Sequence, residues 1–218
     1  MAPLTLYVSP LSAPCRLVRL VAGIVGVDLK IVNVNDLAKD LKTPEMLKKN
    51  PQHTVPTLDD NGVYNAESRA IAMYLISKYG KNDALYPKDV NRRVLVDQRL
   101  FFDQDFYSRI VSVFVTPKFL RKQTDPSSIV KVNDGLESLN RMLEGKQWLA
   151  GDNINLADYA VAISLTPIEL VPESGIVPTK HPNIKEWLHR VESSTPKYME
   201  LLKTFREGVQ ELLKKFKQ

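Results

Sequence analysis

The first residues with chemical potential stand together at Ser12-Ala13-Pro14-Cys15-Arg16. A hydroxyl, a proline and a thiol lie between two apolar runs, Thr5-Leu6-Tyr7-Val8 and Leu17-Val18-Arg19-Leu20-Val21. The first run consists of β-formers and reads as a strand. Ser9-Pro10 breaks it, because proline fixes φ and has no N–H for a ladder. Ser12 falls where a helix N-cap sits, and Pro14 lies in the first turn, where a missing N–H costs nothing. A helix N-terminus presents unpaired N–H groups and the positive end of the dipole. A hydroxyl held there suits an anion. That anion is either a bound ligand or nothing more than the backbone's own capping need.

Cys15 is the only cysteine in the chain. It excludes an intrachain disulfide and fits a reducing compartment. Ser12-x-x-Cys15 has the spacing of a redox dithiol with the attacking cysteine replaced, so a dithiol cycle is ruled out. Cys15 is expected to be packed inside its helix.

These residues need elements to hold them. A chain of 218 residues has room for one large or two small domains. With 44% hydrophobic and 25% charged residues, it has a soluble globular composition. Apolar runs are too short to span a membrane, and the N-terminus lacks a signal-peptide core, so a cytoplasmic protein is expected. The net charge of +5 is modest, and three of its lysines, Lys214, Lys215 and Lys217, sit in the last turns. Without a basic stripe interleaved with aromatics, nucleic acid is not an expected partner.

Helix is predicted from Pro14 to Val25, ended by Gly26. Leu29 to Val34 alternates like a half-buried strand. Thr43 caps a short helix with Pro44 in its first position, and Asn50-Pro51 stops it. Thr54 to Leu58 reads as a strand, with Pro56 requiring either an edge position or a cis peptide. Asn61-Gly62 then marks a hairpin into Val63-Tyr64. Ala66 to Tyr79 follows as a helix closed by Gly80. The order β-α-β-α-β-β-α fills residues 1–80, 81–89 form a polar linker, and 90–218 have helical periodicity throughout. A long helix is predicted from about Val90 past Phe114, with apolar residues at Val94, Phe101 and Ile110. Further helices open at Pro126, Asn155, Pro182 and Pro196.

A thioredoxin-like α/β domain with a mixed sheet, followed by an all-α bundle, resembles the soluble glutathione transferases over the whole chain. The sharpest matches are Ser12-Ala13-Pro14-Cys15-Arg16, Asn50-Pro51-Gln52-His53-Thr54-Val55-Pro56-Thr57-Leu58 and Glu67-Ser68-Arg69-Ala70-Ile71. They are close to the motifs of the insect delta and epsilon classes. Asn155-Leu156-Ala157-Asp158 resembles the family's capping box, with Asn in place of the usual Ser or Thr.

The resemblance implies a homodimeric detoxification enzyme that uses glutathione as co-substrate, without a metal, and conjugates its thiol to apolar electrophiles. A peroxidase side activity would fit. A ligandin-like carrier is the alternative on the same fold, and a physiological isomerase is a third. By the same resemblance, Ser12 donates its O–H to the glutathione sulfur; Ser9, outside the match, is the rival hydroxyl. Val55 and cis Pro56 offer backbone to the extended tripeptide. Ser68 takes the γ-glutamyl carboxylate at a helix N-terminus, and Glu67 the ammonium. Arg69 either reaches the same end or crosses a dimer interface. His53 binds the glycyl carboxylate. Leu41 stands where many members have a second histidine, which leaves His53, with Lys42 nearby, to hold that end. The electrophile pocket is expected between the domains, facing the sulfur, with Leu11, Tyr107, Phe114, Phe119 and Phe205 as walls. Each of these residues equally suits a core or an interface. Asp103 matches a family acidic position near glutathione, with a solvated face as its alternative.

Overall fold

The computed structural model describes residues 3–117 and 126–216. The chain divides into two compact units, Met1–Asp83 and Ala84–Gln218. In the first, β1 (Leu4–Val8), α1 (Ala13–Val25), β2 (Leu29–Asn33), α2 (Pro44–Lys49), β3 (Thr57–Asp60), β4 (Val63–Asn65) and α3 (Ser68–Tyr79) follow in the predicted order. The sheet order is β2-β1-β3-β4. β1 and β2 run parallel, which requires the α1 crossover, and the other pairs are antiparallel.

Alternation along β1 assigns its two faces. Leu4, Leu6 and Val8 are fully buried, on the side filled by Leu17, Val21, Ile71 and Leu75 of the mutually packed α1 and α3. Tyr7 points the other way and packs with Val55 on a cluster of Val34, Leu41 and Met46. Leu41 is therefore a core residue, 2% exposed. The hairpin turn has φ 52° at Asn61 and φ 94° at Gly62. Both central residues are left-handed, as a two-residue turn between twisted strands demands.

The predicted strand Thr54–Leu58 is corrected at its start: the ladder begins at Thr57. Pro56 has no N–H to donate, and its peptide bond with Val55 is cis. At the other end of β3, Asp60 ties the sheet to α3. One of its oxygens accepts from Tyr74 Oη at 2.7 Å, Lys78 Nζ at 2.6 Å and Tyr79 Oη at 2.5 Å. Burial works to raise this carboxyl, but the donors prevail and hold it well below the usual carboxylate range.

The second unit is helical: α4 (Val90–Ile110), a π-helical turn (Val111–Val115), α5 (Pro126–Met142), α6 (Leu156–Leu165), α7 (Pro182–Ser194) and α8 (Pro196–Phe216). Val96, Leu100, Asp103, Phe106 and Ile110 of α4 are buried, whereas Val94 and Phe101 face outward. Gly135 of α5 lies against the Phe106 ring, where an added Cβ would collide.

Every residue of α6 is buried. Its capping box is formed: Asn155 Oδ1 accepts from Ala157 N at 3.0 Å and Asp158 Oδ2 accepts from Asn155 N at 3.0 Å. Among the described residues, no helix is long and apolar enough to cross a membrane.

Candidate functional site

Ser12 is the N-cap of α1, with φ −67° and ψ 119°. Its Oγ accepts from Cys15 N at 3.3 Å. That bond uses a lone pair and leaves the O–H free to donate. The Cys15 sulfur is within hydrogen-bond reach of that hydroxyl. Cys15 is 1% exposed, and burial pushes its thiol up, against the opposing pull of Ser12, Ser9, Arg19 and Arg16. The thiol stays neutral and is a weak acceptor. The first turn of α1 has no acidic residue, and Arg16 and Arg19 add positive charge to the dipole's positive end. The surroundings of Ser12 thus favour an anion. Leu11 beside it is half-buried.

His53, Val55 and Pro56 lie on one loop whose shape depends on Asn50. Asn50 is 2% exposed. Its Nδ2 reaches Thr57 Oγ1 at 2.9 Å and Thr54 O at 3.1 Å, and its Oδ1 accepts from Gln52 N at 3.0 Å. Thr57 Oγ1 donates to the same Thr54 carbonyl at 2.9 Å. Among the described residues, neither the N–H nor the C=O of Val55 is engaged. This is the open backbone an extended peptide can pair with. His53 is exposed, with φ 45°. Asn50 and Thr57 were missed as positioning residues, since the sequence presents Asn50-Pro51 only as a helix stop. Replacing Asn50 with alanine is expected to destabilise the protein by about 1–3 kcal/mol in urea unfolding, because buried partners lose their bonds.

Glu67 has φ 65° and ψ 109° and precedes α3 without a side-chain cap bond. Three non-glycine residues among those described have positive φ: His53, Asn61 and Glu67. Asn61 serves the hairpin turn. His53 closes a turn, its N–H donating to Asn50 O at 3.0 Å, whereas Glu67 has no such turn to serve, and a strained conformation of this kind, costing about 1–3 kcal/mol, clusters at functional sites. The Glu67 carboxylate is exposed and carries no ion pair among the described residues. Ser68 opens α3 and is 4% exposed, and its Oγ accepts from Arg69 Nη1 at 3.4 Å. Arg69 is buried as well. A carboxylate, a hydroxyl, a guanidinium and a helix N-terminus therefore meet within three residues, complementary to an amino acid's ammonium and carboxylate.

In the helical unit, Asp103 is fully buried on α4, which removes the solvated-face alternative. Tyr107 is half-buried on the same helix. Phe114, in the π-helical turn, and Phe205, on α8, are buried. Phe119 lies outside the described residues. Burial of Arg16, at 3% exposure, was not visible in the sequence, where an arginine reads as solvated.

A thioredoxin-like unit with an anion-favouring serine, followed by a helical unit, defines a class. Residues 6–83 match the glutathione S-transferase N-terminal domain and residues 104–195 the glutathione S-transferase C-terminal domain. The chain belongs to the glutathione S-transferase family. It is 36% identical over 210 residues to glutathione S-transferase D7 of Drosophila melanogaster, covering 95% of this chain and 92% of that one. Among solved structures it resembles a Nilaparvata lugens delta-class glutathione transferase, with TM-score 0.90 and 39% identity over 98% of this chain and 100% of that one. It also resembles a housefly epsilon-class enzyme, with TM-score 0.86 and 34% identity over 98% of each chain.

Proposed function

We propose that the protein activates glutathione as a thiolate through Ser12 and transfers it to apolar electrophiles. The observation that carries this reading is the Ser12 hydroxyl, fixed at the α1 N-terminus and still able to donate. Glutathione lies along the Val55–Pro56 backbone, with its γ-glutamyl end at Glu67, Ser68 and Arg69 and its glycyl end at His53. The thiol loses its proton to solvent, the sulfur accepts the Ser12 O–H, and the thiolate attacks the electrophile. In the helical unit, Tyr107 contributes to the electrophile's apolar contacts, whereas Phe114 and Phe205 are fully buried core residues. Reduction of hydroperoxides by the same thiolate is a side activity.

The direct test is titration of glutathione's ultraviolet thiolate band with the protein present. The band should appear one to two pH units lower than in buffer. Appearance at the buffer pH would leave only a carrier. Ser68→Ala is expected to elute early from immobilised glutathione, because the γ-glutamyl carboxylate loses its hydroxyl donor. Retention equal to that of the parent protein would remove Ser68 from the site.

The protein acts as a cytoplasmic homodimer in this reading. Val90, Val94 and Phe101 form one outward stripe on α4, at 70%, 47% and 77% exposure. Apolar residues so exposed on one helix face suit an interaction surface. Phe101→Glu is expected to shift the mass seen by light scattering from dimer to monomer. An unchanged dimer would place the interface elsewhere.

A further inference from the structure

α2 has six residues, too few for a helix that stands by itself, so its place is set by what its side chains hold. Only Met46 and Lys49 turn inward; Pro44, Glu45, Leu47 and Lys48 are exposed. Those two are three residues apart and share one helix face. Met46 packs with Val34 and Leu41, against Tyr7 and Val55. A methionine is adaptable and fills a gap without fixing a geometry. Lys49 is different in kind. A lysine on the inner face of a helix breaks the apolar pattern, and its ammonium must be answered there.

It is answered from several sides. Lys49 Nζ donates to Tyr7 Oη at 2.6 Å and pairs with Glu45 Oε1 at 2.9 Å. It also lies 4.9 Å from the Tyr7 ring centroid and 5.9 Å from that of Tyr64, within cation–π range. Tyr7 belongs to β1 and Tyr64 to β4. One ammonium thus fastens the last residue of α2 to two strands of the sheet. The Tyr7 hydroxyl and the Glu45 carboxylate push its pKa further above the usual lysine value, so it stays charged in neutral solution.

α2 also lies in the chain between His53, assigned to the glycyl carboxylate, and Lys42, the other cation expected at that end. Lys42 closes the 3₁₀ turn Asp40–Lys42, just before the Thr43 cap, and is exposed. His53 follows the helix by four residues, its N–H on Asn50 O at 3.0 Å. A shift of α2 over the sheet carries both with it. Val55 and Pro56 are tied instead through Thr57 of β3, whose Oγ1 donates to Thr54 O at 2.9 Å.

We propose that Lys49 is a positioning residue: through Tyr7 and Tyr64 it fixes α2 on the sheet and thereby sets His53 and Lys42 for the glycyl carboxylate of glutathione. The role rests on the thiolate-transfer reading above.

The test compares glutathione with γ-glutamylcysteine, which lacks the glycyl residue, in conjugation of a chloronitrobenzene by the full chain. Lys49→Met keeps the length of the side chain and removes its charge. It should raise the KM for glutathione about tenfold, with kcat within about twofold of the parent protein. The KM for γ-glutamylcysteine should stay within about twofold, since that thiol has no glycyl carboxylate to misplace. Tyr7→Phe removes only the hydroxyl and should act in the same direction, and the double variant should be no worse than Lys49→Met. Lys49→Arg keeps a donor for the hydroxyl and should recover most of the loss. Exchanging a buried charge for an apolar chain is commonly neutral for folding, so the melting temperature should barely move. Hydrogen exchange of amides 45–50 in the free protein should accelerate in Lys49→Met and Tyr7→Phe while the sheet amides hold. An unchanged glutathione KM overturns the assignment, as does an equal rise for both thiols, which a generally loosened fold would give. Unchanged exchange in α2 overturns it too. A parent protein whose rate does not saturate with glutathione fells the thiol reading itself before any variant is compared, and the exchange measurement then decides alone whether Lys49 holds α2.

Discussion

Replacing Ser12 with alanine is expected to lower conjugation of glutathione with a chloronitrobenzene by about 10- to 50-fold at pH 6.5–7, with glutathione affinity nearly intact. The size follows from one hydrogen bond. A charge-assisted bond to a thiolate is worth about 1.5–3 kcal/mol, and about 1.4 kcal/mol corresponds to one pKa unit. A free thiol titrates near ~8.5, so a few per cent is ionised at pH 7. At pH 7, lowering that pKa by one unit brings about a quarter of the bound thiol into its nucleophilic form, and by two units about three quarters. The sign of the pH effect separates this role from a structural one. The bond favours the charged form, so its benefit is large below ~8.5 and disappears above it, where the thiol ionises unaided. The deficit of the variant should therefore shrink steadily from pH 6.5 to pH 9 in the kcat/KM profile. A deficit constant across that range would mean that only the α1 cap was damaged, since Ser12 Oγ also holds Cys15 N. Ser12→Thr keeps both the cap and the donor and should restore most of the activity.

Local chemistry was legible in the sequence wherever a single residue type dictates a conformation. Ser12 with Pro14, Thr43 with Pro44, Asn61-Gly62 and Asn155 with Asp158 stand where their side chains and φ preferences require. Even the strain at Glu67 falls inside a motif that the sequence marks, although no propensity scale predicts φ 65° for a glutamate. Burial that depends on partners far along the chain was not legible. Val94 and Phe101 are apolar yet outward, while Asp103 and Arg16 are charged yet buried. Hydrophobic type cannot distinguish an interaction stripe from a core stripe on a 21-residue helix. The Asn50–Thr57 pairing was hidden for the same reason: two polar residues seven apart show no period, and only the loop between them explains their burial.

Asp158 carries the largest stability effect. Its oxygens accept from Leu149 N at 2.9 Å, Trp187 Nε1 at 2.8 Å and Asn155 N at 3.0 Å. One carboxylate thereby joins the loop before α6, the start of α6 itself and the indole of α7, and it is completely buried. Asp158→Ala leaves three buried donors without acceptors, each costing about 1–3 kcal/mol, for an expected loss of about 3–5 kcal/mol. At this chain length the melting temperature should drop by roughly 10 °C or more. Burial pushes the Asp158 carboxyl up to about 6, despite the opposing donors from Leu149, Trp187 and Asn155. The folded state thus binds this proton more tightly than the unfolded chain does. The carboxyl's contribution is fully present below pH 3.8, its ordinary value, and fades as pH rises through about 6. The stability gap between the parent protein and the alanine variant should accordingly narrow between about pH 4 and about pH 6, by up to ~1.4 kcal/mol per pH unit, and level off above. A gap that widens with pH would mean that the three donors outweigh burial, and that Asp158 is held as an anion by the groups it joins.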